Sequence, residues 1–183
     1  MQHDRELLER LSAFTPIKFD STVFRATRRG LDALTPSVIG GRWMLPDETP
    51  ILYTAVERDG AIAEIAYHWG LLTPVPSKPV MLHELSVQTD KALKLARADL
   101  IDLGVDWNKY ADINYERTQV IGAAVAHLKL DGLIAPSARW ACDNVMLFMP
   151  GSNWTGLLAL RRSIEVDWRD WVRKQVITPV SVS

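Results

Sequence analysis

A chain of 183 residues, 48% apolar and 23% charged, has the size and composition of one globular domain that buries its own core. Its 21 basic and 22 acidic residues leave a formal net charge of −1, which argues against holding nucleic acid chiefly through phosphates, a task that calls for a basic excess. The lone cysteine, Cys142, excludes an internal disulfide and a thiolate metal cluster.

The first residues are charged rather than an apolar leader, and no apolar run approaches the ~20 residues that span a bilayer. A cytoplasmic protein with no membrane partner is expected. In chain order, residues 4–14 predict a short amphipathic helix with Leu7, Leu8 and Leu11 on one side. Residues 22–26 predict a strand. Residues 27–47 carry Gly30, Gly40 and Gly41 without a convincing period, and a loop of about twenty residues inside a compact domain is usually functional or disordered. A strand at 51–56 and a helix at about 60–69 follow, the helix placing Glu64 beside Ala61 and His68 and away from Ile62 and Ile65.

Beyond the proline-rich 73–79 segment, strands are expected at 80–87 and 93–96, with an irregular connection at 100–108. The strongest helix period covers 116–130, and strands at 133–135, 145–149 and 157–166 make the second half mainly β. Some seven strands and three helices outside strict βαβ alternation predict an α+β domain with a mixed or antiparallel sheet and flanking helices. One domain is expected over 1–183, with its core at about 22–166, a short N-terminal helix and a C-terminal tail. In that tail, Trp168, Trp171 and Val172 group as a helix packing on the core would require, or as a face for a partner or a second copy.

No G-x-G-x-x-G, P-loop or H-E-x-x-H occurs. His3, His68, His83 and His127 lack metal-ligand spacing, so each is expected to be a surface or partly buried residue and no metal site is expected. What does appear is an ordered series: Phe24-Arg25, Gly40-Gly41-Arg42-Trp43, Leu52-Tyr53-Thr54, Ala61-Ile62-Ala63-Glu64, and Ala135-Pro136-Ser137-Ala138. Taken singly, these residues have plain explanations. Arg25 suits a solvated strand end, Arg42 and Trp43 a stacked surface pair, Tyr53 core packing, and Ser137 a turn after proline. Glu64 interrupts an Ala/Ile-rich stretch and either faces water or is held at a site.

In this order the series resembles the RES domain family, named for its Arg, Glu and Ser residues, over about residues 22–166. Asn144 agrees with an Asn usual in that region. Two departures stand out: Met44 replaces a common Asn after Gly-Gly-Arg-Trp, and Pro46-Asp47-Glu48 replaces a turn that often holds Gly.

The resemblance implies a fold related to ADP-ribosyltransferases and a toxin of a toxin–antitoxin pair that cleaves the nicotinamide–ribose bond of NAD+ by hydrolysis or phosphorolysis. Transfer of ADP-ribose to a protein is the alternative, and a non-catalytic nucleotide-binding module a third reading. It further implies an Xre-like helix-turn-helix antitoxin as partner, no direct contact with nucleic acid, and a homodimer as one form within the complex. NAD+ would be substrate, with no resident cofactor. The residue chemistry fits that expectation. Arg25 and Arg42 offer forked donors to phosphate, and the glycines before Arg42 would let backbone approach the pyrophosphate. Tyr53 would stack on nicotinamide or bond the ribose, Glu64 would stabilise an oxocarbenium-like ribosyl cation, and Ser137 and Asn144 would bind substrate.

Overall fold

The computed structural model describes residues 4–149 and 156–177. Six strands and five α-helices follow in the order α1 (Arg5–Ser12), β1 (Ile17–Arg28), β2 (Ile51–Ala55), α2 (Arg58–Gly70), β3 (Val80–Lys94), α3 (Arg97–Asp102), α4 (Glu116–His127), β4 (Gly132–Pro136), β5 (Asp143–Phe148), β6 (Leu157–Val166) and α5 (Trp168–Ile177), with a short 3-10 turn at Trp107–Lys109 before α4. The result is the expected α+β class with a mixed sheet.

The strand pairings close on themselves. β1 pairs with β2, β2 with β5, β5 with β4, β4 with β3, and β3 returns to β1, while β6 lies along β3. Only β3–β4 is parallel. The β1–β2 link rests on one residue pair, Phe24 with Ala55. Val23, Leu52, Leu85, Ile134 and Val145, one from each strand of the ring, belong to one buried cluster. On another face α1, α3 and α4 bury Leu7, Leu11, Leu100 and Ile121 against Leu93, Leu133 and Met146. Small residues Gly60, Ala61, Ala63 and Ala66 are the buried positions of α2 along with Ile62. A helix lined by small residues sits close to its sheet, which sets the depth of any side chain it offers.

Three expectations change. The strands expected at 80–87 and 93–96 are one strand, because pairing with β1 continues through the run, Asp20 facing Gln88 and Phe19 facing Thr89, and resumes at Ile17 and Ala92 after a register shift at Asp90 and Lys91. Thr89 is buried and donates to Asp131 at 2.6 Å, so the polar run is internal ladder rather than a turn. The connection expected at 100–108 begins inside α3, whose Asp99 carboxylate accepts from the Ala96 N–H at 2.7 Å and satisfies an otherwise unpaired helix-end donor. The helix expected to reach 130 stops at His127, since Lys129 takes a left-handed φ of 56°.

The tail forms α5 and packs on the core. Trp168 is buried beside Ala66 and Val80, and the Trp171 indole N–H donates to Asp59 at 2.8 Å. Two histidines differ in kind. His83 is buried between Thr27 and Ser163, at 2.9 and 2.8 Å, a satisfied structural position. His68, on α2, is exposed. Among the described residues no helix is long and apolar enough to cross a membrane.

Candidate active site

The long loop before β2 is tied down rather than loose. Ser37 pairs with Ile51, and Gly41 with Met44, whose backbone groups exchange bonds of 2.9 and 3.4 Å. That tight turn sends consecutive side chains opposite ways. Trp43 and Met44 enter the core at 2% exposure each, while Arg42 enters a cleft. Met44, one of the two departures from the family pattern, is thus a core residue. Asp47 supplies the left-handed turn, with φ 62°, a conformation Asp tolerates better than most non-glycine residues.

The cleft has a volume of about 470 Å³ and is lined by Arg25, Arg42, Tyr53 and Glu64, among others, a size suited to a small-molecule site. Four residues far apart in sequence therefore share one cavity. Ser137 and Asn144 stand behind Glu64: the Ser137 hydroxyl donates to Glu64 Oε1 at 2.9 Å, and Asn144 Nδ2 donates to the same oxygen at 2.8 Å. Both bonds fall on Oε1, and neither engages Oε2. Asn144 lies inside β5, paired with Ala55 and Ala135, rather than ahead of a strand.

The arrangement alters two expected roles. The Ser137 oxygen also accepts the Arg139 and Trp140 backbone N–H groups at 3.1 and 3.3 Å. Its one proton goes to Glu64, so Ser137 positions the carboxylate. Gly41 makes room for Tyr53 rather than for a ligand, since a Cβ there would lie 2.8 Å from the Tyr53 hydroxyl oxygen.

Each arginine is anchored before any ligand arrives. Arg42 lies between the rings of Tyr110 and Tyr115, 4.8 and 4.5 Å from their centroids, and donates to the carbonyls of Tyr110 at 2.6 Å and Asp112 at 3.3 Å. Tyr110 is itself stacked on Trp107 at 4.4 Å and bonded to the Pro136 carbonyl at 2.6 Å. Arg25 donates to the carbonyls of Ala33 and Thr35 at 2.9 and 2.7 Å. Burial lowers its pKa to about 10, against an opposing effect of Asp32, which still leaves it charged at neutral pH. The remaining donors of both guanidinium forks are available to an anion.

The Tyr53 hydroxyl is buried beside the Trp43 backbone, and Asn144 Oδ1 is buried without a hydrogen-bond partner. Burial raises the Tyr53 pKa, so its proton stays on as a donor. Unpaired buried polar atoms are uncommon in native proteins, and Asn144 Oδ1 is one on the residue whose Nδ2 holds Glu64. Several neighbours have no signal in the sequence. Tyr110 and Tyr115 flank Arg42 from a segment with no clear period, and Arg139 lies 3.3 Å over the Tyr67 ring. Ile65, expected to face away, also lines the cleft, as do His68 and Trp69. Among the described residues no group of three or more His, Cys, Asp or Glu side chains is placed to hold a metal ion.

The RES domain model matches residues 18–165, most of the chain and all six site residues. The chain belongs to the RES domain family. A chain of the solved M. tuberculosis MbcT–MbcA toxin–antitoxin complex shares the fold of this RES domain at TM-score 0.79 and 20% identity, over 94% of this chain and 98% of that one. No curated relative matches the sequence.

Proposed function

We propose that this RES domain is the toxin of a toxin–antitoxin pair and cleaves the nicotinamide–ribose bond of NAD+. The observation that carries the reading is the cleft in which two anchored arginines face a carboxylate held by Ser137 and Asn144. NAD+ is a pyrophosphate joined to a ribose with a cationic leaving group. Arg25 and Arg42 suit the pyrophosphate. Glu64 suits the positive charge that develops on the ribose as nicotinamide departs. Tyr53, in the cleft wall, then meets the nicotinamide or the ribose, and Asn144 acts through its bond to Glu64. On this reading the frame is a variant of the ADP-ribosyltransferase fold, and NAD+ is substrate rather than resident cofactor.

The solved complex of similar fold contains a toxin and an antitoxin, which supports a neutralising partner here. We take that partner to be an Xre-like helix-turn-helix protein that covers the cleft with an acidic or carboxylate-ended segment on Arg25 and Arg42. The near-neutral charge of this chain leaves DNA contacts to the partner. Expression of the chain alone, in the cytoplasm, should arrest growth and lower cellular NAD+, and co-expression of the antitoxin should restore both. Soluble, folded protein with level NAD+ and normal growth overturns the toxin reading.

In vitro, the purified chain incubated with NAD+ should release nicotinamide, with ADP-ribose formed in water alone and its phosphate ester when phosphate is the acceptor. Intact NAD+ after incubation refutes cleavage, and label transferred to protein shifts the reading to ADP-ribosylation. Arg42→Lys should weaken both NAD+ and ADP-ribose about tenfold or more, since lysine keeps the charge but loses the fork. Calorimetric titration checks this; unchanged affinity removes Arg42 as the phosphate clamp.

A further inference from the structure

His68 has no structural task like that of His83. It lies on α2 four residues after Glu64 and lines the same cleft, and side chains with that helical spacing stand about 5–6 Å apart at Cβ. Its ring meets Tyr67 edge-on at 5.4 Å. Among the described residues neither ring nitrogen has a hydrogen-bond partner. The sequence alone gave it no role, because a histidine without ligand spacing is usually incidental.

We propose that His68 is the general base for the acceptor water, and so decides whether water or inorganic phosphate attacks the ribose. The assignment rests on the NAD+ reading above. As the C1–N bond breaks, its electron pair stays on nicotinamide, which leaves neutral. The water oxygen bonds to C1, its proton passes to an imidazole nitrogen, and the imidazolium returns that proton to solvent. The balance is NAD+ plus water giving nicotinamide, ADP-ribose and one proton. Phosphate brings its own anionic oxygen and needs no base.

The surroundings suit a neutral imidazole. Partial desolvation at the cleft lowers the His68 pKa although the residue remains solvent-exposed; Glu64 opposes this, and Arg139 and Arg42 add to it. Arg25 from β1, Tyr53 from β2 and Tyr115 ahead of α4 complete the cleft wall, so cations outnumber the carboxylate. The base form is therefore present at pH 7 and is lost as pH falls below the ordinary histidine value of about 6.5. The protonated form adds a further positive charge that favours phosphate.

Purified wild type, His68→Gln and His68→Ala are to be assayed on NAD+ from pH 5 to 8, with and without inorganic phosphate, and the products separated. Wild-type hydrolysis should be level above about pH 6.5 and fall below it, with the phosphate ester gaining share. His68→Gln should lose about 10²-fold or more of hydrolysis and the acid limb with it, while phosphate-dependent cleavage largely persists. Added imidazole should restore hydrolysis to His68→Ala. Wild-type hydrolysis and an unchanged acid limb in His68→Gln overturn the assignment alone. A failure of imidazole to rescue a folded His68→Ala also counts against it. A wild type that releases no nicotinamide overturns the NAD+ reading and takes this assignment with it.

Discussion

Glu64→Gln is expected to leave the chain folded and to lower NAD+ cleavage by about 10²–10³, the usual loss when one preorganised electrostatic group is removed. The substitution isolates charge from shape. Glutamine keeps the length of the side chain, and its amide oxygen still accepts the Ser137 hydroxyl and Asn144 Nδ2 that now meet on Glu64 Oε1. What disappears is the negative charge opposite the ribosyl cation. Because the ground-state contacts survive, NAD+ affinity should change little and the loss should fall on turnover. Nicotinamide release under saturating NAD+, beside a thermal melt of the same preparation, separates the two. Near-wild-type turnover in a folded variant rules out Glu64 as the cation stabiliser. A weakened affinity with normal turnover makes it a binding residue only.

How much of this was legible in the sequence depends on what each residue answers to. Arg25, Arg42, Tyr53, Glu64 and Ser137 form an ordered series, with Asn144 beyond it, because each sits where a strand, turn or helix fixes its direction; local pattern finds the strands and the helix, though not the Gly41–Met44 turn that carries Arg42. The α2 helix shows the limit. Its period puts Glu64 beside Ala61 and His68, as found, but the cleft also admits Ile65 and Trp69, and it is lined in addition by Ile39 to Arg42 of the preceding loop. The clamp on Arg42 was illegible for the same reason. Tyr110 and Tyr115 lie on an aperiodic segment whose course follows from local bonds, such as the Asp106 carboxylate accepting from the Asn108 N–H at 3.0 Å. In β3, the run Gln88 to Lys91 imitates a turn by composition. Only the β1 strand opposite shows that Gln88 and Thr89 are paired and that the ladder resumes at Ala92 after a register shift.

Gly122→Ala is expected to destabilise the chain although it replaces glycine inside a helix by the best helix former. Gly122 lies in α4, and a Cβ added there would press on the Trp43 carbonyl oxygen and lie 2.7 Å from its carbonyl carbon. Those atoms are backbone and cannot swing aside. Trp43 is held on its other side by the core, and the Gly41 carbonyl in the same turn accepts from Gln119 of α4 at 2.9 Å. Relief requires α4 and the turn to separate. Overpacking of this kind costs about 1–3 kcal/mol and occasionally more, against the roughly 1 kcal/mol that alanine gains by propensity; here the rigid neighbour places the cost at the upper end. The effect should reach the cleft, because Arg42 precedes Trp43 and a shifted turn moves its guanidinium from between Tyr110 and Tyr115. Gly70→Ala is the control, since a Cβ there meets nothing within 4 Å. Urea unfolding should show a lower midpoint for Gly122→Ala at unchanged slope and none for Gly70→Ala, with NAD+ affinity reduced only in the former. Equal midpoints for the two variants would mean that α4 does not clamp the Arg42 turn, and the preorganisation of that arginine would then need another source.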